Sequence, residues 1–566
     1  MAGAVLVALA LAGCGGRAAG DAFLHRAGLP AVSQEVGPEL DGALAAEVEE
    51  ALGLGGASWR AAEGRAVHIK EALRPTFASM PKNEHGKLGH AAVRYVLHRL
   101  FVSRHGWFIQ GLHAEGEGGA EGGGGSGLLH DQVPEHVQSL FERRVGQHGL
   151  GLEELTVLAA TLEHLVHNEV SNHLNATFRL FGAGGDESVQ GEKALEMLDA
   201  YMAVYIFGGN ISGMPATHVR SLMRNIGQMY PTWPHTQEWV RGVYNETVPS
   251  SRRSGMGFGD VVGVAEQVGE RYGRWQNAEC LDLKRKLEGY GDASTGRVRL
   301  VDFYSGAVRD GQWQFSESVA YLRELGALDE SDAANPRVII PNYINSPSNC
   351  VASSSYYSVC CINECEDLLG HLEEQVGAPE ARPSQLSALV AALPSATRQA
   401  GRTLPAPLLA RLDEVAEHHG GRVPLHGRLF AQWLHLAYPM ECPFPHVAGA
   451  VNAVRAVQFT KATGHSATLN ETEIRQQIRE APEPSADAGA EEGVCSIATC
   501  GMWTMKEELI AGPAVAPAAR GRHGAASALV RGVLGLAAVV SSGLAVLRTA
   551  GSACGAASID KLDKFV

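Results

Sequence analysis

The chain has 566 residues, an apolar fraction of 45%, a charged fraction of 19% and a formal net charge of −15. That balance belongs to a folded protein large enough for a substantial core or two to four domains, and it excludes a disordered chain. The acidic sum, with no basic stripe along the sequence, also excludes nucleic acid as a partner, because phosphate binding needs clustered Lys and Arg.

Residues 1–20 read as a signal peptide. The apolar run over 2–13 is too short to span a bilayer, which needs about 20 apolar residues, and it ends in the small residues Ala18, Ala19 and Gly20. Leu11-Ala12-Gly13-Cys14 also fits a bacterial lipoprotein cleavage site, which would make Cys14 a lipid-bearing first residue. A second anchor at the far end of the chain would make that lipid redundant, so an ordinary signal peptide is the preferred reading.

Residues 21–474 are expected to form a mostly α, irregular multi-helix ectodomain with few short strands and disulfide-linked loops. Helical spacing is clearest over 152–180, where Leu155, Leu158, Leu162, Leu165 and Val166 recur at three- and four-residue steps. Similar patterns cover 88–101, 134–145 and 404–419, the last stopped by Gly420 and Gly421. Between the first two lies a Gly-rich insertion, 114–127, which reads as a flexible loop. Residues 298–301 and 338–340 are the best strand candidates.

Residues 475–524 read as a stalk, because 481–492 and 511–526 are rich in Pro, Ala, Glu and Gly. Residues 525–548 read as one C-terminal transmembrane helix, with Arg531 snorkelling to the interface, followed by a short tail over 549–566. A buried Ala/Gly-rich helix is the alternative. Basic residues flank the segment on both sides, so only the signal peptide argues for an extracellular or lumenal body on a single-pass membrane protein.

Of ten cysteines, Cys14 lies in the leader and Cys554 in the tail. The other eight, Cys280, Cys350, Cys360, Cys361, Cys365, Cys442, Cys495 and Cys500, form an even set suited to disulfides in an oxidising compartment. A bridge between the adjacent Cys360 and Cys361 would strain the peptide joining them, so each is expected to reach a different partner. Asn175, Asn210, Asn245 and Asn470 open Asn-x-Ser/Thr glycosylation acceptors.

The chemistry-bearing candidates are sparse. Cys350 could serve as the nucleophile of a cysteine hydrolase, with His446 as base and Asn452 orienting it. Four side chains could supply metal ligands: His98 and His105 on one helix, and Glu169 and His173 on another. Glu169 and His173, four apart, could equally satisfy each other as a core pair. His164 and His167 fall opposite the apolar stripe of their helix and are expected to face water. His435, Cys442 and His446 offer a third set of ligand types, which a disulfide at Cys442 would abolish. No phosphate-cradling loop, His-Glu-x-x-His or Gly-x-Ser-x-Gly is present.

Three stretches, 87–112 (Lys-Leu-Gly-His-Ala-Ala-Val-Arg-Tyr-Val-Leu-His-Arg-Leu-Phe-Val through Gly106, Trp107, Phe108 and Ile109), 342–365 and 424–446, resemble a family of large secreted or membrane-anchored proteins of photosynthetic protists. The family has no assigned activity. The resemblance covers residues 67–457, implies one integrated ectodomain and transfers no site residue. The function expected is thus a structural or binding role on the secretory route, with a metal-dependent oxidative enzyme (copper, zinc or di-metal) and a cysteine hydrolase as alternatives. The membrane is the one partner the sequence names; a protein or small-molecule partner and any cofactor stay unknown.

Overall fold

The computed structural model describes residues 56–109, 111–112, 142–143, 145–146, 148–183, 188–207, 214–291, 294–309, 314–351, 357–480 and 501–510. The expected signal peptide, the Gly-rich insertion, the expected membrane segment and tail, most of 134–145, and Asn210, Cys495 and Cys500 lie outside them. Among the described residues no helix is long and apolar enough to cross a membrane. They all fall in one contact unit, Met1–Gly512.

Helices dominate, as the periodicity predicts. In chain order they begin with α1 (Gly56–Ser79), α2 (His90–His105), strand β1 (Trp107–Ile109), α3 (Leu152–Leu180), α4 (Gly191–Phe207), α5 (Ala216–Met229), α6 (Trp233–Thr247) and α7 (Phe258–Tyr290). There follow β2 (Arg297–Arg299), α8 (Leu300–Arg309), α9 (Val319–Glu324), β3 (Leu328–Asp329), β4 (Arg337–Ile339), α10 (Ile340–Ile344) and β5 (Tyr357–Val359). The last group is α11 (Glu364–Val376), β6 (Glu380–Ala381), α12 (Pro383–Ala392), α13 (Ala406–His418), β7 (Val423–Pro424), α14 (Arg428–Ala437), α15 (Ala456–Thr463) and α16 (Glu471–Glu480).

The expected strands are present and find each other: β2 and β4 pair antiparallel with Val298 opposite Val338, and β3 adds to β4. Each is short, and the chain turns helical at Leu300 and at Ile340. Gly151 and Glu154 start α3, the Glu154 carboxylate accepting the Gly151 N–H at 2.7 Å and so satisfying one of the helix's open donors.

Three apolar cores organise the body. The first is built on α1 to α7 with β1 and β5, the second on α8 to α10 and the small sheet, and the third on α11 to α14. Helix α7, 33 residues and so about 50 Å long at 1.5 Å per residue, runs from the first core into the second. Val261, Val264 and Tyr272 pack in the first, Cys280 and Leu287 in the second.

Residues 350–365 visit all three cores within sixteen positions. Tyr357 and Val359 lie in the first, Cys361 in the second, and Cys365 packs against the third. Disulfides fix each visit. Cys350–Cys360 closes the hairpin that carries β5, Cys280–Cys361 ties the segment to α7, and Cys365–Cys442 ties α11 to the turn that follows α14. The adjacent Cys360 and Cys361 thus take separate partners, one local and one 81 residues away.

A second junction is ionic. Arg99 of α2 reaches Glu366 and Glu373 of α11; Glu373, fully buried, also accepts from Thr76 at 2.9 Å and lies 2.7 Å from His426 Nε2. It joins the first core to the third.

The stalk reading is corrected at two places. Helix α16 covers 471–480 and packs on α8, burying Ile474 completely. Residues 501–510 lie against α14. Gln432 accepts the Thr504 N–H and donates to its carbonyl, Arg428 donates to Thr504 Oγ1 and the Lys506 carbonyl, and Leu509 bridges to Gly427. Trp503 packs against the third core and Ile510 against the first, so side-chain burial joins these hydrogen bonds in holding the stretch.

Candidate functional site

Helices α3 and α7 each present two titratable residues one turn apart, and side chains four apart share a helix face. On α3 these are Glu163 and His167; on α7 they are Glu266 and Glu270. His167 Nε2 stands 3.1 Å from Glu270 Oε1, and its Nδ1 stands 3.7 Å from Glu266 Oε1. One donor atom each from Glu163, His167 and Glu270 lie within 4.8 Å of one another, the one such group among the described residues. Glu163 is 2% exposed and His167 8%.

Arginines flank the acids. Arg65 Nε of α1 is 3.7 Å from Glu163 Oε1, and Arg104, at the end of α2, also acts on Glu163. Trp107 of β1 forms a wall: its indole N–H donates to the Gly269 carbonyl at 3.2 Å, and its ring meets His167 edge-on at 6.4 Å. His105 stacks on the other side of Trp107 at 4.1 Å. Its Nδ1 lies 3.2 Å from the Glu270 carbonyl. A carbonyl only accepts, so Nδ1 carries the proton and Nε2 is left bare.

Burial and charge decide the protonation states. Burial alone would push the His167 imidazole down, but the Glu266 and Glu270 carboxylates outweigh it and lift it to about 9. Burial pushes the Glu163 carboxyl up, with Arg104, Arg65 and His167 opposing. Glu270 goes the other way, because His167 beside it overcomes its desolvation. Burial, aided by Arg104, drives His105 down to about 3, so that ring stays neutral. In its paired state the cluster therefore holds a proton on His167 between carboxylates from two helices. Carboxylates and an imidazole so placed can hold either a proton or a metal cation.

The expectation that His164 and His167 face water is corrected: each is only 8% exposed. Helix α3 is covered by α1, α4 and α7 together, so its apolar stripe does not mark its only buried face. Asn168 occupies His164 Nε2 at 3.0 Å.

The expected ligands His98, His105, Glu169 and His173 do not come together. His98 packs edge-on against Phe108 at 4.9 Å, His105 is engaged as described, and Glu169 and His173 pair along their own helix at 4.0 Å. Helix α7 packs against both α2 and α3, and supplies the facing carboxylates instead.

Cys350 is bonded to Cys360, so its sulfur is not available as a thiolate nucleophile. His446 gives its Nε2 to the Gly326 carbonyl at 2.7 Å, and Asn452 is exposed. The hydrolase triad is not assembled. Cys442 is bonded to Cys365, which likewise removes it as a metal ligand beside His435 and His446. Cys280, Cys360, Cys361 and Cys365 complete the bonded set. Of the glycosylation acceptors, Asn245 and Asn470 are exposed, while Asn175 is half-buried within α3.

Glu163 and Glu270 were not legible as site residues from composition. The available signal was the pair of i, i+4 spacings, Glu163 with His167 and Glu266 with Glu270. No known protein family, curated protein or solved structure matches the chain.

Proposed function

We propose that this protein is a non-catalytic structural or binding protein of an oxidising compartment, delivered by the secretory route and held at a membrane by residues 525–548. The observation that carries this reading is the segment 350–365, whose four cysteines are all bonded and fasten the three cores to one another. Disulfides of this kind persist where glutathione and thioredoxin do not reduce them, outside the cytosol. They also engage Cys350, the residue a hydrolase would have needed.

Expression of the full chain in eukaryotic secretory cells tests this. The exposed acceptors Asn245 and Asn470 should carry N-glycans, seen as a glycosidase-sensitive mobility shift lost stepwise in Asn245→Gln and Asn470→Gln. A chain that stays unglycosylated, with the body digested by protease added to the cytosolic side, would defeat the lumenal assignment.

A further inference from the structure

We propose that Glu163, His167 and Glu270 form a binding site for one first-row divalent cation of the manganese, iron or zinc class. Two carboxylates and an imidazole are the donor set such ions prefer. Harder magnesium and calcium favour oxygen ligands throughout.

The geometry is part-way to coordination. Donors about 2.1 Å from a metal stand roughly 3–3.5 Å from one another. His167 Nε2 and Glu270 Oε1 are already 3.1 Å apart. The two groups make an ion-pair contact whose geometry falls short of a hydrogen bond, so Nε2 is buried without a hydrogen-bonding partner among the described residues. A buried nitrogen aimed at a carboxylate without a bond between them fits a ligand pair better than a finished ion pair. Only the Glu163 carboxylate, within 4.8 Å, has to close, by up to about 1.5 Å, a distance its side-chain torsions cover.

The surroundings supply what a metal histidine needs. Glu266 sits 3.7 Å from His167 Nδ1, where it can hold the Nδ1–H tautomer and leave the Nε2 lone pair for the ion. It is a positioning residue. Glu266 and Arg65 are 35% and 29% exposed, so the cluster has a solvent side through which an ion can enter and toward which Arg65 can withdraw.

Calorimetric titration of the metal-free full chain with zinc chloride, and separately with manganese chloride, tests the site, with magnesium chloride as control. One equivalent of zinc or manganese should bind, and Glu163→Gln and Glu270→Gln should each weaken it by at least about tenfold. Both substitutions keep side-chain shape, and thermal melts without metal check that each variant folds. Should one fail to fold, the other, on a different helix, gives the same reading. Absence of one-equivalent binding overturns the proposal, as does binding that survives in both variants, which would place the ion on surface histidines. Neither result bears on the disulfides, so the two readings fail separately.

Discussion

His435 shows how a single buried side chain sets a pH limit on this fold. Its ring is fully buried, with Nδ1 2.6 Å from the Cys442 carbonyl and Nε2 3.4 Å from the Arg297 guanidinium, which pairs with Asp329 at 2.7 Å. Burial first, and then Arg297, lower the imidazole from 6.5 to about 3. The folded protein therefore refuses a proton that the unfolded chain accepts throughout that window. Stability from this group is intact above pH 6.5 and is lost as pH falls toward 3, at roughly 1.4 kcal/mol per pH unit. His435→Gln, which keeps a donor for the carbonyl, should flatten the acid limb of a stability-against-pH curve by up to one proton. Denaturant melts between pH 6.5 and 4 measure it; an unchanged slope would mean that the ring is protonated when folded.

At the scale of elements, α7 works because one of its glycines, Gly273, lets another segment touch it. A Cβ on Gly273 would stand 1.9 Å from the His105 carbonyl oxygen, so only glycine permits α2 to end against this helix. Gly106, at φ 68°, then turns the chain into β1 and brings Trp107 beside the site. Gly273→Ala should cost about 3 kcal/mol or more, since backbone on both sides must move. Gly263, on the same helix with open space around it, should gain about 0.5–1 kcal/mol when changed to Ala. Urea denaturation of the two variants compares them; equal effects would remove the close-approach argument.

Element identity was readable from spacing: α3 runs over Leu152–Leu180, where its leucines place it. What lay around α3 was not. A helical wheel with one apolar stripe turns His164 and His167 outward, and nothing local reveals that α1 and α7 cover those flanks. The divergence of Cys360 and Cys361 followed from peptide geometry, but their partners depend on which helix reaches that loop. Residues 501–510 were read as stalk because linker-like stretches, 481–492 and 511–526, flank them, and nothing local shows that Arg428 and Gln432 bond to them or that Trp503 packs on the third core.

Across the whole molecule, 350–365 is where three cores meet, and the bridges there should dominate resistance to unfolding. Cross-links spanning 81 and 77 residues restrict the unfolded chain more than one spanning ten: roughly 4–5 kcal/mol each against about 2.5–3 kcal/mol in the chain-entropy account. The ionic junction at Arg99 and Glu373 adds a second tie between the first and third cores, and breaking a buried pair of this kind costs about 3–5 kcal/mol. A disulfide map tests the account most directly: the secreted full chain is digested without reduction, under thiol blocking, and its linked peptides are identified by mass spectrometry. The prediction is Cys280 with Cys361, Cys350 with Cys360, and Cys365 with Cys442, none of the six alkylated in the native protein. A freely alkylated Cys350, or Cys360 and Cys361 found unbridged, would contradict it and return the chain to the reducing compartments and thiol chemistry set aside above.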